Sequence, residues 1–358
     1  MAIRSRILSG KPKKKLIHRI ILLSLTILTI GAILLAVTLF RYILKPNVRT
    51  ENNDPVSIKI PTGSDFNDVK EILYKKGLII NRHSFEWVAG RKNYPGLIKP
   101  GHYIIKGPMS NNDLVNMLRS GAQAPVKVVF NNIRLKEELA GKISRHIEAD
   151  SISLIQCWND RQFLKSLNTT PEKVLMIFIP NTYEFWWTTD AYDFTRRMQK
   201  EFSDFWDGER TQKAALTRLS IPEIIILASI IEKETQKNDE KPAIAGVYLN
   251  RLRKDWPLQA DPTVVFACGD FELKRVLTFH TKINSPYNTY IYGGLPPGPI
   301  CIPSIASIDA VLNYQKHDYL FFCARADMSG YHAFSRTLAE HNRYAKAYQK
   351  ALNERKII

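Results

Sequence analysis

Residues Ile221–Asn250, IPEIIILASIIEKETQKNDEKPAIAGVYLN, decide how this chain is read. Pro222 suits the first turn of a helix, where its missing N–H costs nothing. The run Ile224-Ile225-Ile226-Leu227-Ala228-Ser229-Ile230-Ile231 is apolar nearly all round, which suits a helix enclosed by a core rather than one lying on a surface. That helix runs directly into Glu232-Lys233-Glu234. Glu232 stacks at i−4 and i−7 on Ala228 and Ile225, so its carboxylate is expected beside the core. A carboxyl desolvated there has a raised pKa and can act as a general acid near neutral pH. An ordinary charged helix end, with Lys233 and Glu234 solvated, accounts for the same three residues without any chemistry.

The other end of the chain says where it sits. Ile20–Phe40 is a run without a charge, and at ~1.5 Å per residue it spans the roughly 30 Å of a bilayer's hydrocarbon. Arg4, Arg6, Lys11, Lys13, Lys14, Lys15 and Arg19 precede it, whereas only Arg41, Lys45 and Arg49 follow closely. That excess predicts an N-terminus inside and the rest of the chain outside the cytoplasm. With no convincing small-x-small cleavage site, the segment reads as a signal anchor. These ten cations, with no acid among residues 1–49, also account for most of the formal net charge of +17. The remainder is close enough to balance that the high pI does not argue for nucleic-acid binding, since the charge is not a stripe on a folded face. Cys157, Cys268, Cys301 and Cys323 show neither CxxC spacing nor a metal pattern, and buried free thiols are the default.

After a polar tether over residues 41–54, Val56–Ile60 alternates as a short strand, Ser64 stands where an N-cap would, and Phe66–Lys76 reads as a helix closed by Gly77. A helix Arg82–Arg91, a strand His102–Ile105 and a helix Asn111–Arg119 ending at Gly121 follow. Val126–Phe130 and Leu135–Ile147 then repeat the strand-then-helix order, a weak sign of internal duplication. An amphipathic helix is expected over Ala243–Arg253, then the cluster Leu258-Gln259-Ala260-Asp261-Pro262-Thr263-Val264. Tyr287-Asn288-Thr289-Tyr290 precedes Gly293-Gly294-Leu295-Pro296-Pro297-Gly298-Pro299-Ile300, a loop whose composition makes a stiff, low-entropy wall. Tyr and Asn there suit stacking on a sugar and hydrogen bonding to its hydroxyls. Tyr319–Ala324 and Tyr331–Ser335 read as a hairpin across Asp327-Met328-Ser329-Gly330, and Thr337–Asn353 as a closing helix.

In this order EKET, NRL, LQADPTV, SPYNTY and GLPPGPI resemble the endolytic murein transglycosylases, the MltG/YceG-like family, over most of residues 55–350. Tyr331-His332-Ala333-Phe334-Ser335 and Glu340-His341-Asn342 resemble its C-terminal signature. Pro180-Asn181-Thr182-Tyr183 resembles the family's Pro-Asp-Thr-Tyr, but with Asn181 where Asp is usual, which argues against an essential acid there. Trp186 and Trp187 either stack on a sugar or fill core, and His332 either lines a cleft or is structural.

The resemblance implies an α+β chain: residues 1–19 a cytoplasmic basic tail, 20–40 a single transmembrane signal anchor, 41–54 a tether, 55–150 a small lysin-motif-like β-α-α-β module with a second strand–helix unit, and 151–358 a mixed α/β catalytic domain. The module is either a glycan binder or a spacer. The implied activity is a peptidoglycan lytic transglycosylase, cutting between N-acetylmuramic acid (MurNAc) and N-acetylglucosamine (GlcNAc) to leave 1,6-anhydro ends. Glu232 is the position matching the family's catalytic Glu, donating a proton to the glycosidic oxygen and then taking one from the C6 hydroxyl. Glu234 is expected to orient it or raise its pKa by like-charge repulsion. Gln259, Asp261, Tyr287, Asn288 and Tyr290 are the candidate cleft residues, with no metal or organic cofactor. The implied setting is the bacterial cytoplasmic membrane, single-pass, with the catalytic domain extracytoplasmic. The partners are peptidoglycan strands and the glycan polymerases and penicillin-binding proteins that make them. Two alternatives stay open: a lysozyme-type hydrolase using water and a second carboxylate (Glu234 or Asp261), and a non-catalytic wall-binding scaffold.

Overall fold

The computed structural model describes residues 12–273 and 275–355, so Arg4, Arg6 and Lys11 of the basic tail lie outside the described residues. The first helix, Pro12–Ile43, extends past both ends of the expected apolar run. Its span Lys15–Ile43 has a mean hydropathy of 2.8, and it is a helix long and apolar enough to cross a bilayer. Leu22, Leu28, Ile33 and Leu35 are more than half exposed, so no protein covers them. In water that surface would be costly, which is why such a helix is consistent with a membrane anchor.

The chain divides into two compact units, one running to Pro125 with Trp186–Thr188, the other Val126–Phe185 and Thr189 onward. In the first, strand Val56–Ile60 pairs antiparallel with Gly101–Ile105, Ile58 opposite Tyr103. Helices Phe66–Lys75 and Arg82–Arg91 lie between them in sequence, giving the expected β-α-α-β order. The cap of the first of these helices is Asp65 rather than Ser64. Its carboxylate accepts from the backbone N–H groups of Asn67 and Asp68 at 2.7 and 2.9 Å, and Asp68 accepts in return from that of Asp65 at 2.8 Å. That reciprocal pairing needs an acceptor three residues before Asp68, which only position 65 supplies. Gly77, at φ +66°, closes this helix as expected. Val69, Leu73, Phe85, Tyr103 and Leu118 form a core of this unit alone.

In the second unit strand Val126–Val129 pairs antiparallel with Thr182–Phe185, Val128 opposite Tyr183. This pairing places the second strand–helix unit with the C-terminal portion, so the compact units part at Pro125, ahead of residue 150. The helix after it, Lys136–Ile143, is shorter than the pattern suggested, because Ile147 reaches the core from the turns beyond it. The core helix Ile221–Glu234 has every residue from Ile224 to Ile231 buried, with Pro222 in its first turn and a reciprocal Ser220–Glu223 cap. Helices Lys241–Arg253 and Ile305–Leu312 pack on it. Ser229, the one hydroxyl in the apolar run, is fully enclosed; it donates to Ile226 O at 2.7 Å and accepts from Ile300 N–H at 3.0 Å, stapling the end of the Gly-Pro loop to the helix. The hairpin forms from Phe321–Ala324 and His332–Ser335, and helix Leu338–Glu354 follows with Thr337 as its cap. Every sheet among the described residues has two strands, so the architecture is α+β with helices carrying the core.

Candidate active site

The core helix delivers two carboxylates from its last turn, and they face different surroundings. On a helix, residues two apart point about 200° away from each other. Glu232 turns inward. Its Oε2 accepts from the hydroxyls of Ser304 and Ser307, each at 2.5 Å, from Lys241 Nζ at 3.1 Å and from Ser304 N–H at 3.3 Å. Lys241 is itself almost fully buried. Desolvation pushes the Glu232 carboxyl up, but the two hydroxyls and the lysine together outweigh it and leave it below the ordinary carboxylate value. The sequence expected the opposite, because Ser304, Ser307 and Lys241 come from parts of the chain that periodicity cannot place beside it.

Glu234 turns the other way, to the junction of two clefts. One, of about 380 Å³, is lined by Glu234, Lys233, Asp261, Arg134, Phe266 and Phe271 among others. The second, of about 350 Å³, shares Glu234 and Asp261 and adds Tyr248, Arg251, Gln259, Tyr290, His332 and His341. Glu232 lines neither. Desolvation pushes the Glu234 carboxyl up to about 7, helped by the Asp261 charge and opposed by a hydrogen bond from Tyr248 and by the nearby Arg251. Tyr248 OH donates to its Oε1 at 2.5 Å. Arg251 is held by two carbonyls, Nε to Leu320 O at 2.7 Å and Nη1 to Leu258 O at 2.6 Å, so its charge is fixed in place.

The other expected residues separate. Asp261 opens helix Asp261–Cys268 and accepts from Tyr290 OH at 2.6 Å, and both line the cleft beside Glu234. Gln259 is exposed on the same cleft at φ +47°, its N–H donating to Thr289 O at 3.1 Å. Tyr287 lies apart from Glu234, packed on Phe266 with ring centroids 4.7 Å apart and lining a third hollow of about 520 Å³. Gly298 lets Tyr287 in, since a Cβ there would stand 2.9 Å from its hydroxyl. Asn288 is fully buried and braces its loop, its amide donating to Thr281 O at 3.0 Å and Ile283 O at 2.8 Å. Thr289, which the sequence passed over, carries the tie: its hydroxyl pairs with that of Thr263 at 2.8 Å and accepts from Ala260 N–H at 3.0 Å, joining the Gln259–Asp261 segment to the Tyr290 loop. His332 both lines the cleft and is fixed by Glu240, Nδ1 to Oε2 at 2.7 Å. Asn181 accepts from Thr182 N–H at 2.8 Å, a local turn contact. Trp187 is nearly buried and Trp186 about half exposed.

Tyr248, Arg251 and His341 had no cleft role assigned from the sequence, although Arg251 falls in the NRL motif and His341 in Glu340-His341-Asn342. Tyr248 and Arg251, three apart on helix Lys241–Arg253, share a helix face with the polar tips turned one way; that spacing was the available signal. Cys157 and Cys301 are buried, Cys268 and Cys323 partly so, and all four are free thiols. No group of three or more His, Cys, Asp or Glu among the described residues could hold a metal ion.

Known proteins share this framework. Residues 58–347 match the family described as YceG-like. A Bacillus subtilis protein named endolytic murein transglycosylase is 30% identical over 329 residues, covering 87% of this chain and 90% of that one. A Streptococcus pneumoniae protein of the same name is 28% identical over 324 residues, covering 80% of this chain and 57% of the relative's length. The crystal structure of a YceG-like protein from Listeria monocytogenes is similar with a TM-score of 0.53 at 30% identity, covering 81% of this chain and 99% of that one. With the match running through both units and through every motif of the cleft, the chain belongs to the YceG-like family.

Proposed function

We propose that the protein is a membrane-anchored lytic transglycosylase that cuts the MurNAc–GlcNAc bond within peptidoglycan strands, and that Glu234, rather than Glu232, carries the proton. One observation carries the assignment: the Glu234 carboxyl stands at the meeting of two clefts and titrates at about 7. Glu232 is anionic at neutral pH beside Lys241 and has no proton to give. Protonated Glu234 donates to the glycosidic oxygen as the C1–O bond breaks and positive charge develops on the sugar ring. The resulting carboxylate then takes the proton of the MurNAc C6 hydroxyl, whose oxygen closes on C1 to give the 1,6-anhydro end. No water enters, so one carboxyl serves both steps. Tyr248 holds the Oε1 edge of that carboxyl, and Asp261 raises its pKa.

The names of the relatives support the substrate class, the apolar first helix supports an anchor, and the excess of Lys and Arg before it in the sequence supports clefts outside the cytoplasm. The expected tether over residues 41–54 is largely folded, since the first helix runs to Ile43 and strand Pro46–Val48 pairs with Met109–Ser110 with Val48 buried. An anchor with so little free chain after it keeps the protein to nascent strands near the glycan polymerases. The lysin-motif-like β-α-α-β module would hold the strand for the cut. The test is digestion of purified glycan strands by the full-length protein in detergent. Glu234→Gln should lose at least the ~10²–10⁴-fold typical of one acid–base group while remaining folded. A dead but folded Glu232→Gln beside an active Glu234→Gln would return the proton to Glu232. Reducing ends that take up labelled oxygen from water would make the enzyme a hydrolase, with Asp261 as second carboxylate. No cleavage by the wild type would leave a wall-binding scaffold.

A further inference from the structure

The cleft on the Arg134 side of Glu234 is charged differently from the one on its other side. Arg134, Lys233 and Arg275 line it, and its two acids, Glu234 and Asp261, belong to the edge shared with the second cleft. None of the three cations has an acidic partner within ion-pair distance among the described residues. The Arg134 guanidinium lies over the Phe271 ring, 4.6 Å from its centroid, and Nη1 makes only a long contact, 3.5 Å, to Phe271 O. Lys233 donates to the side-chain oxygen of Asn132, a neutral partner that leaves its charge uncompensated. The third hollow continues from Arg134 and Phe266 and is mixed in charge: it adds Lys136, bound to neutral Asn159 at 2.6 Å, and the acid Glu137, while Arg161 is cancelled by Glu172 at 3.3 Å, so the excess of cations belongs to the Arg134 arm.

Neutral sugar rings give no use for uncompensated cations held at the edge of an apolar wall. A guanidinium pre-positioned on an aromatic ring with most of its fork unengaged is a carboxylate receptor. We propose that this arm is a carboxylate subsite that takes the anionic substituent of the muramic acid beside the cut, namely the stem peptide. The inference rests on the glycan-cutting reading above. The same chemistry is offered by the bare lactyl carboxylate of a strand without peptides, and the two sources give different results in one experiment.

Full-length protein in detergent is given strands bearing stem peptides and the same strands stripped of them by an amidase. Arg134→Ala should lower kcat/KM at least about tenfold on peptide-bearing strands and less than about threefold on stripped ones, the scale of one charge-assisted hydrogen bond. Arg134→Lys should recover part of the loss, which a purely structural role for the ring stacking would not give. A loss confined to the stripped strands assigns the subsite to the lactyl carboxylate, which is an uncharged amide wherever a stem peptide is attached, and equal losses on both strands overturn the proposal. Unchanged kcat/KM on both overturns the proposal. If the wild type cuts neither strand, the glycan-cutting reading has failed on its own. Calorimetry with a soluble muramyl tripeptide then decides the subsite: binding weakened about tenfold by Arg134→Ala upholds it, and binding that is absent or insensitive to the substitution ends it.

Discussion

Replacing Glu234 by Gln and, in a separate protein, Glu232 by Gln should change the stability of the second unit with opposite signs. The Glu234 carboxyl titrates at about 7 against an ordinary 4.5. That difference of about 2.5, at ~1.36 kcal/mol per pKa unit, makes folding less favourable by up to about 3 kcal/mol once the group is ionised in both states. The folded chain holds this proton more tightly than the unfolded one, so the penalty is absent below pH 4.5, grows between there and about 7, and is complete above it. Gln keeps an acceptor for the Tyr248 hydroxyl and does not titrate. The Glu234→Gln protein should therefore match the wild type near pH 4.5 and exceed it by up to about 3 kcal/mol at pH 8. Glu232 has a depressed pKa, so it contributes stability above pH 4.5 that is lost as pH falls through its folded value. Gln in its place leaves buried Lys241 without its anion and should cost about 3–5 kcal/mol at neutral pH. Urea unfolding of the detergent-solubilised chain at pH 5 and pH 8, followed by the fluorescence of buried Trp158 and Trp206, reads both effects. If Glu234→Gln tracks the wild type at both pH values, its carboxyl is not desolvated and the assignment of the proton to it falls.

The pH–rate profile should fall on the alkaline side as Glu234 loses its proton near pH 7; Tyr248→Phe, which removes a bond to the carboxylate, should move that limb up, and Asp261→Asn, which removes a neighbouring charge, should move it down. Thr289→Val deletes the buried hydroxyl that joins Thr263 and Ala260; a loss of about 1–3 kcal/mol in unfolding free energy, with weakened substrate binding, is expected from the donor left unpaired. A reporter active only in the cytoplasm, fused to the C-terminus, should be silent if the first helix holds the chain N-inside, and strong activity would overturn the topology.

Periodicity and caps made most of the helices legible, since each rests on residues close together in sequence. Gly77 and Gly121 stop their helices at positive φ, and the apolar run from Ile224 to Ile231 is buried throughout. Ser64 was displaced as a cap because choosing between neighbouring cap residues depends on which can pair reciprocally with the third helical residue. The site was legible as a neighbourhood rather than as roles. Helical spacing says that Glu232 and Glu234 diverge, but not which of the two directions holds Ser304, Ser307 and Lys241 and which holds a cleft. Asn288 looked like a sugar-binding amide because its loop is aromatic and polar, yet its two carbonyl partners, five and seven residues back, make it a brace. Arg134 lies a hundred residues before Glu234, and nothing local marks it as part of the same cleft.

Glu234 is the last residue of a fourteen-residue helix, and that position has an electrostatic meaning of its own. The aligned peptide dipoles leave about half a negative charge at a helix C-terminus. An acid set there is held back from ionising by its own backbone, in addition to its burial. The same partial charge faces the point where a glycosidic bond would open, and so favours a ring acquiring positive character over a neutral one. A helix entering the cleft by its opposite end would do the reverse on both counts.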